Sequence, residues 1–252
     1  MAKSTGLGGQ FYVGGYDLSN DIGQLDNLTL ERNLIEVTGI DRSAVERLPG
    51  LYTSSIGFTG FFNDDVLKEH VALSALPTVD TQIQYHHTST LGARACAMVA
   101  RQVGYAWTRG ADGALGIQSE AQSNDDFLNW GQSLTSGQEN DGSGTSGTGV
   151  NMLEHTATDT VFGMVAYIQV FTFTGTSVTL TIEESNDDAS GDAYAAVTGG
   201  AFAAASGITH ERIQTSLSQT VEDWLRLVSS GTFTDATFSC VAKRYDTANA
   251  ER

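Results

Sequence analysis

Three stretches of this sequence carry the letters of a binding or reactive motif, and each lacks the context that would make it work. Gly142-Ser143-Gly144-Thr145-Ser146-Gly147 satisfies GxGxxG, the phosphate-cradling turn of dinucleotide-binding folds. That turn functions between a strand and a helix, whose N-terminus faces the pyrophosphate, whereas here both flanks are rich in Gly and Ser. His210-Glu211-Arg212-Ile213-Gln214 begins like the zinc-protease motif HExxH but has no second histidine, and zinc needs three or four side chains. His86 and His87 adjoin in an extended stretch, so they point to opposite faces and cannot chelate together. All three histidines are read as surface residues.

The acid pairs Asp64-Asp65, Asp125-Asp126 and Asp187-Asp188 lack the alternating spacing, central Gly and terminal Glu of a calcium loop. Helix caps and turns account for them. There is no GxSxG elbow, no P-loop and no Cys/His arrangement suited to a nucleophile. The sequence therefore assigns no catalytic, cofactor-binding or metal-binding residue, and an enzyme is not expected.

The formal charge of -17 arises from a scarcity of bases, with only three lysines: Lys3, Lys68 and Lys243. Phosphate affinity is built from clustered Lys and Arg, so a surface that grips nucleic acid is excluded. DNA in transit is not excluded, because a wall along which DNA slides should repel it mildly. No run of about 18 apolar residues is present, and the opening MAKSTGLGGQ has no apolar stretch, so a soluble protein made inside a cell is expected. Cys96 and Cys240 lie in apolar alternating runs and are read as reduced core residues.

The elements around these residues are mostly strands. Residues 1–9 read as a flexible N-terminal arm, with Lys3 and Leu7 as its contact candidates. Phe11, Tyr12, Val13 and Tyr16 open a strand, and Leu28 and Leu30 alternate with polar residues. Gly39–Gly50 carries Asp41, Arg42, Glu46 and Arg47 between two glycines and contains Pro49, one of only two prolines. It reads as a long, charged, exposed loop. Asp64 or Asp65 is expected to cap a short helix in which Leu67, Val71 and Ala75 recur every four residues and which Pro77 closes.

Period-two alternation follows over 81–88, 94–107 and 115–121, with Ala111-Asp112-Gly113 as a hairpin turn. Residues 161–174 are apolar on both parities, as expected of a strand covered on both faces. Val221–Leu227 fits helix or strand, and the alternation of Phe238, Cys240 and Ala242 favours strand. Between these regions, 131–154 is dominated by Gly, Ser and Thr and reads as a flexible linker. The expectation is a mainly β protein: two β-sandwich or barrel-like domains, 10–130 and 155–252, joined by that linker, with one short α-helix.

Leu7-Gly8-Gly9-Gln10-Phe11-Tyr12-Val13-Gly14-Gly15-Tyr16-Asp17-Leu18-Ser19, Val37-Thr38-Gly39-Ile40-Asp41-Arg42-Ser43-Ala44 and Gly57-Phe58-Thr59-Gly60-Phe61-Phe62-Asn63 resemble the major tail protein, or tail tube protein, of long-tailed double-stranded-DNA viruses. Thr108-Arg109-Gly110-Ala111-Asp112-Gly113 and Gln169-Val170-Phe171-Thr172-Phe173-Thr174-Gly175-Thr176 match as well. Glu222-Asp223-Trp224 departs from the family, where a basic and aromatic strand is expected.

The resemblance implies a β-sandwich tube domain in the first half that joins copies of itself into rings, as a hexamer or a pseudo-hexameric trimer. Those rings stack into a hollow, non-contractile tail tube, assembled in the host cytoplasm and crossed by viral double-stranded DNA without specific binding. It implies tail terminator, tail tip and tape-measure proteins as partners. Asp41, Arg42, Glu46 and Arg47, with the arm residues Lys3 and Leu7, become the candidates for ring stacking. The second half is either an outward decoration or a second tube-like unit. A carbohydrate- or receptor-binding module, using Tyr194 or Trp224, is the alternative.

Overall fold

The computed structural model describes residues 5–152 and 159–246. In chain order its elements are β1 (Gln10–Val13), β2 (Tyr16–Asp17), β3 (Ile22–Glu36), β4 (Arg47–Phe61), α1 (Glu69–Leu73), β5 (Thr81–His86), β6 (Arg94–Arg109) and β7 (Leu115–Ser123). There follow β8 (Asn129–Ser133), β9 (Glu139–Asp141), β10 (Val150–Asn151), β11 (Met164–Ser185), β12 (Ala195–Ala201), β13 (Thr209–Gln214) and β14 (Trp224–Arg244). Over the described residues the protein is mainly β with one short helix, as its patterning predicts.

The compact units do not follow the expected partition. One comprises Met1–Ser19, Gln82–Ala97 and Asn129–Arg252, the other Asn20–Thr81 and Met98–Leu128. The first strand of the chain thus belongs with the C-terminal half.

The larger unit is built on β11 and β14, antiparallel from Met164 opposite Arg244 to Ser185 opposite Trp224. Residues 164–171 are buried on both parities, because β13 and β14 flank this part of β11 and other chain covers its faces. Farther on, Val178, Leu180 and Ile182 point inward and alternate with half-exposed residues. Met164, Ile168, Leu180, Leu225, Phe238 and Cys240 share one apolar cluster, and Cys96 is buried as well.

Beside that cluster lies a neutral polar layer. Gln82, Gln84, His86, Gln169 and Ser239 are all fully buried. Gln84 Nε2 donates to Gln82 Oε1 (2.9 Å) and to the Tyr167 carbonyl (3.2 Å), and Ser239 Oγ donates to Gln84 Oε1 (2.6 Å). Gln169 Oε1 accepts the Gly15 amide (2.8 Å), and its Nε2 donates to the Tyr12 and Gln82 carbonyls (3.2 Å each). Each hydrogen bond satisfies a group that would otherwise be costly to bury. His86, expected at the surface, is therefore an interior residue, while His87 and His210 are half-buried. Burial pushes the His86 imidazole down to about 3, so it is neutral in the folded state.

The stretch 131–154 is not a flexible linker where it is described. β8 pairs with β14 at Val241 and Ala242, β9 at Ala236–Phe238, and β10 at Trp224 and Leu225. Its glycines serve close approach: a Cβ on Gly131 would collide with the Ala242 carbonyl oxygen, and one on Gly147 would stand 2.7 Å from that of Leu227. The GxGxxG residues lie along β14, with Ser146 bridging Val228, and among the described residues no helix follows them.

In the smaller unit, β3, β4, β7 and the Met98–Arg109 part of β6 form an antiparallel sheet in the order β3-β4-β7-β6. Gly113 (φ 93°) permits the expected 111–113 turn, closed by the Gly110 amide on the Ala114 carbonyl (2.8 Å). The helix is shorter than expected and displaced. α1 begins at Glu69 after Lys68, which makes no side-chain cap, so neither Asp64 nor Asp65 caps it. Leu67 precedes it in the left-handed region (φ 65°), Val71 is exposed, and the buried residues are Glu69 and Leu73.

Candidate assembly interface

The charged residues 41, 42, 46 and 47 lie at the far end of a β-ribbon rather than in a free loop. β3 and β4 pair from Ile22 opposite Gly60 to Glu36 opposite Arg47. β7 supports β4 only over Ser55–Phe61. Beyond Ser54 the ribbon is two-stranded, and seven residues of β3 from Leu30 to Glu36 extend it by about 23 Å at the usual strand rise.

The tip is closed locally. The Val37 amide donates to the Glu46 carbonyl (2.9 Å), the Glu46 amide to Thr38 Oγ1 (3.0 Å), and the Arg42 amide to the Gly39 carbonyl (3.0 Å). Asp41 and Arg42 approach to 3.9 Å with both side chains largely exposed to solvent, a pairing of little energetic weight. Glu36 and Arg47 stand directly opposite in register. At the ribbon's base, the Arg32 guanidinium lies 4.2 Å over the Tyr52 ring, which meets Phe127 at 5.0 Å.

The apolar content of the ribbon was not expected. Leu34, Ile35, Ile40, Val45, Leu48 and Leu51 are each more than half exposed, Ile40 fully. Ile35 opposes Leu48, and Leu34 opposes Pro49, so apolar side chains occupy both faces. A two-stranded ribbon is marginal in water, and one with apolar residues on both faces has an unburied surface to cover. The signal was present in the sequence as apolar residues interleaved with the charges. Residues 30–51 hold three arginines (32, 42, 47) against four acids (31, 36, 41, 46), a near-balance within a strongly acidic chain. Among the described residues β3 pairs with β4 alone, which leaves its outer edge open.

Of the arm candidates, Lys3 lies outside the described residues. Leu7 is 83% exposed, next to Gly8 in the left-handed region (φ 85°). Tyr194 and Trp224 are half-buried. Arg226 lies 4.1 Å over the Tyr194 ring, and the Tyr194 hydroxyl donates to Asp188 Oδ1 (2.8 Å), so that ring is already engaged. Among the described residues no group of three or more His, Cys, Asp or Glu is placed to hold a metal ion, and no helix is long and apolar enough to cross a membrane.

No protein-family model and no curated protein sequence matches the chain. Among solved structures it is similar to a component of the virion of a native gene transfer agent particle, at 12% identity over 51% of this chain and 98% of that one, with a TM-score of 0.42. It is also similar to the SPP1 Dit protein (10% identity, 94% of this chain and 99% of that one, TM-score 0.31) and to a chain of the phage p2 baseplate in its activated conformation (10%, 94% and 99%, TM-score 0.35). Similarity at that level assigns the chain to none of these families.

Proposed function

We propose that this protein is a structural subunit of a virus tail which assembles with copies of itself into stacked rings, forming a hollow, non-contractile tube for double-stranded DNA. The observation that carries the reading is the two-stranded β3–β4 ribbon, whose exposed apolar residues and mixed charges suit burial against another copy of the chain. The open edge of β3 supports it, since an unpaired strand edge is a template for pairing with a neighbour. The sequence resemblance to tail tube proteins gives the polymer its identity. The acidic balance fits a bore that must not retain DNA, because a few phosphate contacts per ring would sum along many rings. Asp41, Arg42, Glu46, Arg47, Lys3 and Leu7 remain the proposed stacking contacts, with tail terminator, tail tip and tape-measure proteins as neighbours.

The test is electron microscopy and sedimentation of purified protein over a range of concentrations. Rings or tubes of uniform width are expected, with a negative potential along the bore. A strictly monomeric species, in solution and in virions, would refute the reading, and a basic bore would remove its account of the charge.

A further inference from the structure

The smaller unit buries two carboxyl groups that share one asparagine. Glu69, the first residue of α1, is fully buried, and Asp21, in the turn before β3, is 6% exposed. One residue holds both: the Asn63 amide donates to Glu69 Oε2 (3.2 Å), and Asn63 Nδ2 donates to Asp21 Oδ1 (2.9 Å). The second oxygen of each, Glu69 Oε1 and Asp21 Oδ2, is buried without a hydrogen-bond partner. The remaining polar neighbours of Glu69 are His70 on α1 and Tyr105 on β6. The Tyr105 hydroxyl is hydrogen-bonded to His70 Nδ1 at 2.8 Å and lies alongside Glu69 without a well-formed bond to Oε1.

Two buried carboxyl groups, each with one oxygen held by the same asparagine and the other without a partner, constitute an arrangement that one proton relieves and a second negative charge does not. Burial acts first on Glu69 and the charge of Asp21 adds to it, both raising its carboxyl above the ordinary value; Asn63, Tyr105 and His70 oppose them and do not prevail.

We propose that a proton retained on Glu69 beside Asp21 is the lock that holds α1 docked in the smaller unit, and that losing it releases the segment around the helix. The segment is poised to move. Leu67 (φ 65°) and Leu76 (φ 45°) flank α1 in a conformation that side-chain-bearing residues seldom adopt. Leu73 is the only apolar residue the helix buries. Release frees Leu73 beside Val66, Leu67, Val71 and Leu76, which are already exposed.

The sign follows from the upward shift. The docked state is fully favoured below the unfolded carboxyl value of 4.5 and loses that advantage as pH rises through the higher docked value.

Hydrogen exchange tests the lock at the Ala72 and Ser74 amides, which donate to the Lys68 and His70 carbonyls, with the buried Ile56 amide of β4 as internal reference. As pH rises above 4.5 the relative protection in the wild type should fall by up to about tenfold per pH unit and then level off. Glu69→Gln should abolish that fall, with protection at or above the wild-type value at about pH 5. Asp21→Asn should make the fall end at lower pH. A flat wild-type profile would overturn the proposal, as would weaker protection in Glu69→Gln than in the wild type at about pH 8. Protection restored at that pH by calcium or magnesium ions would assign the pair to a cation and overturn it equally. Should Glu69→Gln fail to fold, an Asp21→Asn profile that coincides with the wild type decides against the lock.

Discussion

Ile35 and Leu48 face each other across the β3–β4 ribbon, and both remain more than half exposed, at 55% and 53%. Such a cross-strand pair ordinarily stabilises a sheet by covering apolar area on a shared face. Among the described residues nothing covers that face. Replacing both by Thr should leave the monomer's stability within about 0.5 kcal/mol, as for exposed sites generally. Assembly should shift to at least about tenfold higher concentration, since each such side chain buried at a contact contributes on the order of 1.5 kcal/mol. Sedimentation velocity of the double variant, beside its thermal unfolding, separates the two effects.

Removing residues 1–9 should impair stacking before it impairs folding, because Leu7 is exposed and the described part of the arm buries little. Circular dichroism and electron microscopy of the same preparation check this. Loss of the folded monomer would instead make the arm part of the core.

Gly147→Val should destabilise the larger unit by about 1–3 kcal/mol, the usual scale for forcing extra carbon into a filled site. The new Cβ would stand 2.7 Å from the Leu227 carbonyl oxygen, which now accepts the Gly147 amide at 2.8 Å. Chemical denaturation measures it. A neutral outcome would mean that the stretch along β14 is as pliant as its composition suggests.

Two groups in the larger unit should give its stability opposite pH slopes. His86 is held neutral, with its imidazole pushed from 6.5 to about 3, so its contribution is present above 6.5 and is lost as pH falls towards 3. Glu222 is raised from 4.5 to about 7, by burial first and then by Asp192, Glu184 and Asp159, so its contribution is present below 4.5 and is lost as pH rises through 7. Glu222→Gln should therefore raise the melting temperature above neutral pH and leave it nearly unchanged near pH 4.5. A lower melting temperature in mildly alkaline buffer would show that the ionised carboxylate is the stabilising form.

The sequence disclosed what depends on neighbouring residues and concealed what depends on distant ones. Burial of 164–171 on both parities, the turn at Ala111-Asp112-Gly113 and the strand character of 238–242 were visible as local patterns, whereas the continuity of one strand from Trp224 to Arg244 was not. The run 131–154 was misread because glycine composition is the same for a loose tether and for chain pressed against a carbonyl; only Ala242 and Leu227 distinguish them. The helix was misplaced because Leu67, Val71 and Ala75 repeat every four residues, while the residues that dock are Glu69 and Leu73. No periodicity marks a buried carboxylate. At the ribbon, the charges at 41, 42, 46 and 47 overshadowed the apolar residues interleaved with them, which the fold leaves exposed.

The polar layer also sets a timetable for synthesis. Gly15 waits for Gln169, 154 residues later, and Gln84 waits for Ser239, 155 residues later. All of Asn20–Thr81 and Met98–Leu128 has left the ribosome before β11 and β14 exist to complete the larger unit. The smaller unit can therefore be finished while Gly15 and Gln84 still lack their partners on β11 and β14, and closure over such sequence distances is slow. A nascent chain would thus present the exposed apolar side chains of its ribbon before its own interior is sealed, which places any danger of premature association on the polysome, where many copies emerge side by side.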